Sequence, residues 1–256
     1  MNAVGLYLHV PFCLSKCAYC DFLSYPGRAH EAARYFQAVS RELDWYVRQQ
    51  WFEEYALTTI YIGGGTPSLV LPDLLAFLHA HQHLLRLDRL DEVTIEVNPG
   101  TISPAQFHDL RQIGITRVSI GVQSFDDREL ATLGRVHTRT DAIACVQAAR
   151  QAGFSTISLD LIFGIPSSSL ATWQSTLQQA LRLRPEHLSF YNLTLEEGTP
   201  FWKQHQTGTL VLPGEDEQLA MYAAAIKTLT HARYEHYEIS NAALPGYRSQ
   251  HNQMYW

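Results

Sequence analysis

Three of the chain's four cysteines lie close together, as Cys13, Cys17 and Cys20 in the spacing C-x3-C-x2-C. They follow a short apolar run, residues 5–10, which ends at Pro11 and is typical of a β-strand. Four cysteines in 256 residues are too few for a disulfide scaffold, so the grouping indicates metal or redox chemistry. The fold must therefore present three thiols on one loop after its first strand.

Three interpretations of this loop follow from the residue types. Three thiolates can hold one face of an iron–sulfur cube, whose usual ligand set is four cysteines. The remaining Cys145 lies far along the chain on a predicted helix, where burial is the favoured role, so one iron would stay open to another ligand. Zinc with His9 or Asp21 as fourth ligand is less favoured, because structural zinc sites bring ligands in two separated pairs. Chance grouping of core cysteines is the least favoured.

Strand-like and helix-like segments alternate along the chain. Strands are predicted at 5–10, 57–62, 92–97, 117–122, 156–163 and 187–193, and helices at 29–51, 72–85, from 103, after 124 in two pieces, 170–183 and 216–232. Six strand–helix units in a row predict parallel strands with right-handed crossovers. The pattern alone fits an open sheet or an incomplete barrel. Residues 199–214 are predicted to be irregular, and 234–239 to form one more strand.

Composition and charge narrow the class of protein. The formal net charge of −6 argues against coating nucleic acid by bulk charge, and 46% hydrophobic residues exclude global disorder. No apolar run approaches the ~20 residues of a membrane helix, and no signal-peptide pattern begins the chain. We therefore predict a soluble cytoplasmic protein without a nucleic acid partner, and nothing in the sequence indicates membrane contact.

Unusual residues recur near the carboxyl ends of successive predicted strands. A glycine run, 63–65, follows the second strand, and such a run either exposes N–H groups to a ligand or makes a tight turn. Glu96, Gln123 and Asp160 lie at the third, fourth and fifth strands. Because these ends meet at the rim where parallel α/β folds bind ligands, the recurrence predicts one shared site.

Each of these residues also has a purely structural interpretation. Glu96 could form a salt bridge with Arg117, since a buried carboxylate is costly unless it is paired. Gln123 could bond a neighbouring loop, Asp160 could cap a helix or loop, and Arg135 could lie on a solvated helix face.

Several motifs together resemble the radical S-adenosylmethionine (SAM) superfamily. They are YLHVPFC at 7–13 with the three-cysteine loop, GGGTP at 63–67, EVNP at 96–99, GVQSF at 121–125 and DLIFG at 160–164. The resemblance extends over essentially the whole chain. It is specific to the branch that contains the oxygen-independent coproporphyrinogen III oxidases and the HemW-like heme chaperones.

The resemblance implies an α/β fold, a partial (β/α)6 TIM-type barrel, over residues 1–233. It implies a [4Fe–4S] cluster on Cys13, Cys17 and Cys20, with SAM chelating the open iron. By motif position, the SAM-contacting residues would be Tyr7, Tyr19, Gly64, Gly65, Thr66, Glu96, Gln123, Arg135 and Asp160.

Within that branch, the sequence favours the chaperones over the oxidases. The oxidases carry a further cysteine at the place of Phe22, and an extension before the first strand. The tail, residues 251–256, resembles an H-N-x-x-Y-W signature of the chaperones, which makes His251 a candidate axial ligand of heme. An equal alternative is that His251 ties the tail to the barrel.

The resemblance also sets expectations for activity and partners. From it we expect a heme chaperone rather than an enzyme. Its partners would be heme, a heme-accepting protein and an electron donor. Radical decarboxylation of coproporphyrinogen III is the alternative activity. Residues 234–256 would begin a C-terminal region that is truncated here.

Overall fold

The computed structural model describes residues 2–255, so Trp256 of the tail signature lies outside the described residues. The strands are β1 (Asn2–Val10), β2 (Phe12–Cys13), β3 (Tyr25–Pro26), β4 (Tyr55–Gly64), β5 (Glu92–Val97), β6 (Arg117–Gln123), β7 (Thr156–Phe163), β8 (His187–Asn192), β9 (Glu235–Glu238) and β10 (Asn241–Ala243). The α-helices are α1 (Ala32–Arg48), α2 (Trp51–Glu54), α3 (Leu71–Ala80), α4 (Gln82–Leu85), α5 (Pro104–Ile113), α6 (Asp127–Leu133), α7 (Arg139–Gln151), α8 (Leu170–Arg182), α9 (Pro200–Gln206), α10 (Glu215–His231) and α11 (Gln250–Gln253).

One sheet organises the molecule, in the order β1-β4-β5-β6-β7-β8-β10-β9. The first six of these strands are parallel, and the β9–β10 hairpin adds two antiparallel strands at the far edge. The α/β fold with a parallel sheet is therefore confirmed. Because β1 and β9 are edge strands of this sheet, the six units form an open, partial barrel.

The parallel strands are apolar on one face and polar on the other. On β5, Val93 and Ile95 join the hydrophobic core, and Glu92, Thr94 and Glu96 alternate with them, as successive residues of a strand point to opposite faces. We call the polar face the inner face. On the other parallel strands it carries Thr59, Tyr61, Arg117, Ser119, Ser158, Asp160, His187 and Ser189.

Three helical predictions need correction. The segment predicted as one helix at 29–51 begins as a 3-10 turn at Ala29–Glu31, and α2 is separate because Gln50 takes a left-handed conformation. The predicted helix at 72–85 is divided into α3 and α4 at His81. The segment 199–214 is predicted to be irregular, but its first part forms the helix α9. The Thr199 side chain caps the start of this helix by accepting the Trp202 N–H.

The C-terminal helix α11 is anchored on the inner face, at the amino end of β5. The buried Glu92 carboxylate accepts hydrogen bonds from Ser249 Oγ at 3.1 Å, Gln250 N at 2.9 Å and His251 N at 3.3 Å. Arg117 and His187 lie on the same part of the inner face, and their side chains bond each other at 3.2 Å. We call Glu92, Arg117 and His187 the floor.

Nothing among residues 2–255 forms a helix that is both long and apolar enough to cross a membrane.

Candidate functional site

The carboxyl ends of the parallel strands surround a cavity of about 720 Å³. The half-buried, free Cys13, Cys17 and Cys20 line it. Eight of the nine residues predicted to contact SAM also line it: Tyr19, Gly64, Gly65, Thr66, Glu96, Gln123, Arg135 and Asp160. The ninth, Tyr7, is instead placed beside the site, where its hydroxyl contacts His9 Nδ1 at 3.2 Å.

Short backbone contacts tie the cysteine loop to the fold. At its base, Tyr25 N bonds Pro11 O at 2.7 Å and Gly27 N bonds Cys13 O at 3.1 Å, which makes the β2–β3 pair. In its middle, Ala18 N bonds the end of α6 at 3.1 Å, and Ala18 O accepts the Phe201 N–H of α9 at 3.0 Å. The helix that sequence reasoning missed therefore supports the cysteine loop.

A small hydrophobic cluster lies beneath this loop, apart from the main core. It consists of buried side chains from α6, β7, α9 and the loops after β7 and β8, against which Ala18 and Tyr19 pack: Leu133, Ile162, Ile165, Leu193 and Phe201. The packing fixes the loop that carries the thiols.

The sulfurs of Cys13 and Cys17 are linked by a chain of polar side chains. Thr66 Oγ1 donates to Cys13 Sγ at 3.6 Å, and Arg135 Nη1 donates to Cys17 Sγ at 3.7 Å. Asn98 joins the two donors, since its amide bonds Thr66 Oγ1 at 2.8 Å and Arg135 Nη2 at 2.5 Å. These contacts fix the positions of the Cys13 and Cys17 side chains in the loop.

The donor set fits a cluster better than a single zinc ion. Within residues 2–255, no three histidine, cysteine, aspartate or glutamate side chains come together as a site for one metal ion. In an iron–sulfur cube each cysteine binds a different iron, so the sulfurs need not converge on one point. His9, offered above as a zinc ligand, uses both ring nitrogens, at Tyr7 Oη and at Leu23 O.

The glycine run packs closely and does not expose its N–H groups. Gly64 N bonds Glu96 Oε2 at 3.0 Å, Gly65 N bonds Val10 O at 2.9 Å, and the Thr66 N–H is also used by the backbone. Of the two alternatives offered for this run, exposed N–H groups are not found at Gly64 or Gly65, because the β1–β4 ladder continues into the run. A Cβ on Gly64, whose φ is +114°, would lie 2.6 Å from the His9 ring, so glycine is required there.

Two carboxyl groups face the cavity from the inner face. Glu96 accepts from Tyr61 Oη at 2.9 Å and from Gly64 N, and burial, helped by the negative charge of Asp160, raises the pKa of Glu96 to about 7. Asp160 accepts from Ser119 Oγ at 2.9 Å, and burial raises its pKa as well. A cation bound beside them would lower both pKa values and favour the ionised carboxylates.

Three structural alternatives raised by the sequence are not what the structure shows. Arg117 does not pair with Glu96; its guanidinium bonds Thr94 Oγ1 and His187 Nδ1. Asp160 lies inside β7 and caps no helix. Arg135 is not on a solvated face, since it bonds Asn98 and the Gly121 carbonyl. Asp160 and Arg135 therefore line the cavity, and Arg117 belongs to the floor.

Gln123 ends β6 in a left-handed conformation, with φ of +65°. Such a conformation costs a residue with a side chain roughly 1–2 kcal/mol. Strain of this kind is found where a structure holds a residue for function, and Gln123 lines the cavity.

The tail residue His251 is buried, with 4% of its surface exposed. Its Nδ1 bonds Thr59 Oγ1 at 2.8 Å, and its ring lies 5.3 Å from that of Tyr61. This is the tail-tying arrangement of the alternative above. Ligation of heme by His251 stays a prediction, and the ring would have to leave these contacts to make it.

Cys145 is buried in α7, and burial raises the pKa of its thiol to about 12. Its predicted role as a helix core residue is confirmed.

Sequence reasoning missed two residues that hold the site together, Tyr61 and Asn98. Tyr61 is on the inner face of β4, and its strand position between buried Ile60 and Ile62 was a signal that could have found it. Asn98 stands inside the EVNP motif, directly after the strand that carries Glu96.

Comparison with known proteins agrees with the geometry. Residues 7–180 match the family described as Radical SAM superfamily. The heme chaperone HemW of Escherichia coli (strain K12) is 39% identical over 257 residues, which are 99% of this chain and 66% of the relative. HemW of Lactococcus lactis subsp. lactis (strain IL1403) is 37% identical over 251 residues, 98% of this chain and 65% of the relative.

Among solved structures, the coproporphyrinogen III oxidase HemN of Escherichia coli is similar, with a TM-score of 0.80 and 26% identity. The similarity covers 99% of this chain and 58% of that one. The chain spans 56–66% of the length of the curated relatives it matches.

The chain belongs to the radical SAM superfamily. This family implies a [4Fe–4S] cluster and SAM, which the cysteine loop and the carboxyl-lined cavity fit. Within it, the chain falls in the HemN-like branch, on the side of the HemW proteins.

Proposed function

We propose that this chain is the radical SAM core of a cytoplasmic heme chaperone, which binds heme and passes it to an acceptor protein. Cys13, Cys17 and Cys20 would hold the [4Fe–4S] cluster. An electron donor would be a second partner. When bound, the cluster supplies single electrons to the sulfonium of SAM.

The chain's own residues would prepare the site for these groups. Glu96 and Asp160 face the cavity, and the positive charge of bound SAM would lower their raised pKa values and favour the carboxylate forms that pair with its amino and sulfonium groups. Thr66, Asn98 and Arg135 hold the sulfur atoms of Cys13 and Cys17 in fixed relation. The other predicted SAM residues that line the cavity complete its wall, and Tyr7 supports it from outside.

The observation that carries the chaperone half of the proposal is residue 22. By resemblance, the oxidases have a further cysteine at this place, and here Phe22 lines the cavity mouth with 65% of its surface exposed. The curated HemW relatives, 34–39% identical over nearly the whole chain, support the same assignment.

The surface around the mouth also suits an apolar ligand. Leu14 and Val136 line the cavity beside Phe22, and they are 54% and 63% exposed. Exposed apolar side chains grouped at a cavity indicate a binding surface. Heme, a largely apolar macrocycle, is the ligand that the proposal places there. His251, the candidate axial ligand, would have to leave its buried contacts with Thr59 and Tyr61 to reach heme at the mouth.

A coproporphyrinogen III oxidase is the second candidate, because the HemN fold is similar over 99% of the chain. One experiment separates the two. Anaerobically reconstituted protein is titrated with heme, and separately incubated with coproporphyrinogen III, SAM and a reductant. We expect a saturable heme spectrum and no conversion of coproporphyrinogen III. Decarboxylation that depends on SAM and reductant would overturn the chaperone assignment.

A further inference from the structure

Three aromatic rings form a column along the inner side of β1 and β4. Tyr7 and Tyr61 are opposite each other in the strand register, with ring centroids 6.1 Å apart. The His251 ring lies 5.3 Å from Tyr61. Tyr61 is therefore packed between a strand residue and the C-terminal tail.

The column has room for His251 because of a glycine. Gly5 is the partner of Thr59 in the strand register, and a Cβ on Gly5 would lie 2.8 Å from Thr59 Oγ1 and 2.9 Å from His251 Nδ1. Even a methyl group would thus press on the histidine ring. The niche for His251 is built into β1.

The upper end of the column reaches the ligand site. The Tyr61 hydroxyl donates to Glu96 Oε1 at 2.9 Å, and the other carboxyl oxygen of Glu96 accepts the Gly64 N–H. Glu96 lines the cavity. A change in the position of the Tyr61 ring therefore changes one of the two hydrogen bonds that orient this carboxyl group.

The lower end of the column is fixed by the tail. The His251 N–H bonds Glu92, and its ring bonds Thr59. Because both bonds depend on α11 being in place, the position of the ring reports whether the tail is docked. The contact between His251 and Tyr61 then carries this information toward Glu96.

We infer that His251 is a positioning residue for Glu96, acting through Tyr61, so that docking of the C-terminal tail sets the affinity of the site for its cationic ligand. The inference rests on the proposed binding of SAM at Glu96. Coupling between two sites is reciprocal, so SAM would in turn stabilise the docked tail.

The test measures SAM dissociation constants by calorimetry on the reconstituted protein. Aromatic pairs contribute about 0.5–1.5 kcal/mol, so His251→Ala should weaken SAM binding by roughly 2- to 12-fold. Tyr61→Phe, which removes only the hydroxyl, should weaken it by about 10-fold. Gly5→Ala should reproduce the His251→Ala effect, and His251→Phe, which keeps a ring against Tyr61, should restore most of the affinity.

The double variant H251A/Y61F distinguishes positioning from a general loss of structure. If His251 acts through the Tyr61 hydroxyl, the double variant should bind SAM no more than about twofold more weakly than Y61F alone. The inference would be overturned if the loss of SAM affinity in the double variant equalled the product of the two single losses. It would also be overturned if His251→Ala left the affinity unchanged. Met254→Ala is the matched control, since its sulfur also contacts Thr59 from the tail, and it should leave SAM affinity unchanged. Wild-type protein that binds no SAM would refute the proposed function itself.

Discussion

Glu92 and Glu96 stand on the same strand and the same face, yet their surroundings differ. Glu92, in the floor, accepts hydrogen bonds from three groups of the tail and from Thr94 Oγ1. Glu96, at the cavity, accepts two, and burial raises its pKa to about 7. Protein groups thus surround the Glu92 carboxyl group with hydrogen bonds, whereas the Glu96 carboxyl group remains available to a ligand in the cavity.

The comparison extends to the two ends of the inner face. At the floor, protein groups bond one another, as Ser158 Oγ and Arg117 bond His187 Nδ1. At the cavity end, three thiols and two carboxyl groups face open volume. One end of the barrel thus serves chiefly stability and the other would hold the cluster, and substitutions at the two ends should separate stability from cluster binding.

The largest effect is expected at the cysteine loop. Cys17→Ala should abolish the iron–sulfur absorbance of anaerobically reconstituted protein, because a cube held by two cysteines loses its fixed position. The iron-free variant should unfold within about 1 kcal/mol of the wild type, since Cys17 is half-buried. Cys145→Ala is the control and should keep the absorbance. Survival of the absorbance in Cys17→Ala, with zinc in the purified protein, would refute the cluster assignment.

A substitution in the floor should give the reverse result, a loss of stability with the cluster absorbance retained. Glu92→Ala leaves Ser249 Oγ and two backbone N–H groups of α11 without their acceptor, which should lower the free energy of unfolding by roughly 2–4 kcal/mol. Urea denaturation measures this, and Glu92→Gln should cost less because one acceptor remains. Glu53→Ala, at an exposed position, should change little. Loss of cluster absorbance without loss of stability would contradict the division between floor and cavity.

The smallest effect is a pH dependence at Glu96. Its pKa of about 7 in the folded protein exceeds the ordinary value near 4.3, so the folded state holds a proton that the unfolded state loses. Stability contributed by this group therefore falls as pH rises from about 4 to about 7. Glu96→Gln removes that loss, so its stability relative to wild type should rise by ~1–3 kcal/mol across this range.

Urea unfolding of the two SAM-free proteins at pH 5 and pH 8 measures this difference. Burial lowers the pKa of His137 to about 4. Buried histidines of this kind are present in both proteins, so their contributions cancel in the difference in stability. A difference between the two proteins that does not change with pH would show that Glu96 is charged throughout.

The strands could be predicted because apolar and β-branched residues recur between turn residues, as Ile60 and Ile62 do before the glycine run. The start of α5 was found from Ser103-Pro104, a capping residue followed by proline. The same signal occurs at Thr199-Pro200, but the glycines and prolines after it favour a loop, so the sequence does not predict α9.

The site was predictable only where its residues follow one another along the rim. Nothing local relates Glu92 to Ser249, which lie 157 positions apart. The N–H groups of the glycine run could not be assigned either, because their acceptors belong to β1 and β5. Pairing of this kind is decided by tertiary structure, and the sequence pattern carries no trace of it.

The two-residue pairing of β2 with β3 closes the cysteine loop at its base through the backbone of the protein itself. Closing a flexible loop costs conformational entropy that grows with the logarithm of its length, and here the backbone bears that cost during folding. The loop therefore has the form of a macrocyclic chelator, in which backbone hydrogen bonds join the two ends of the ring that carries the three thiols.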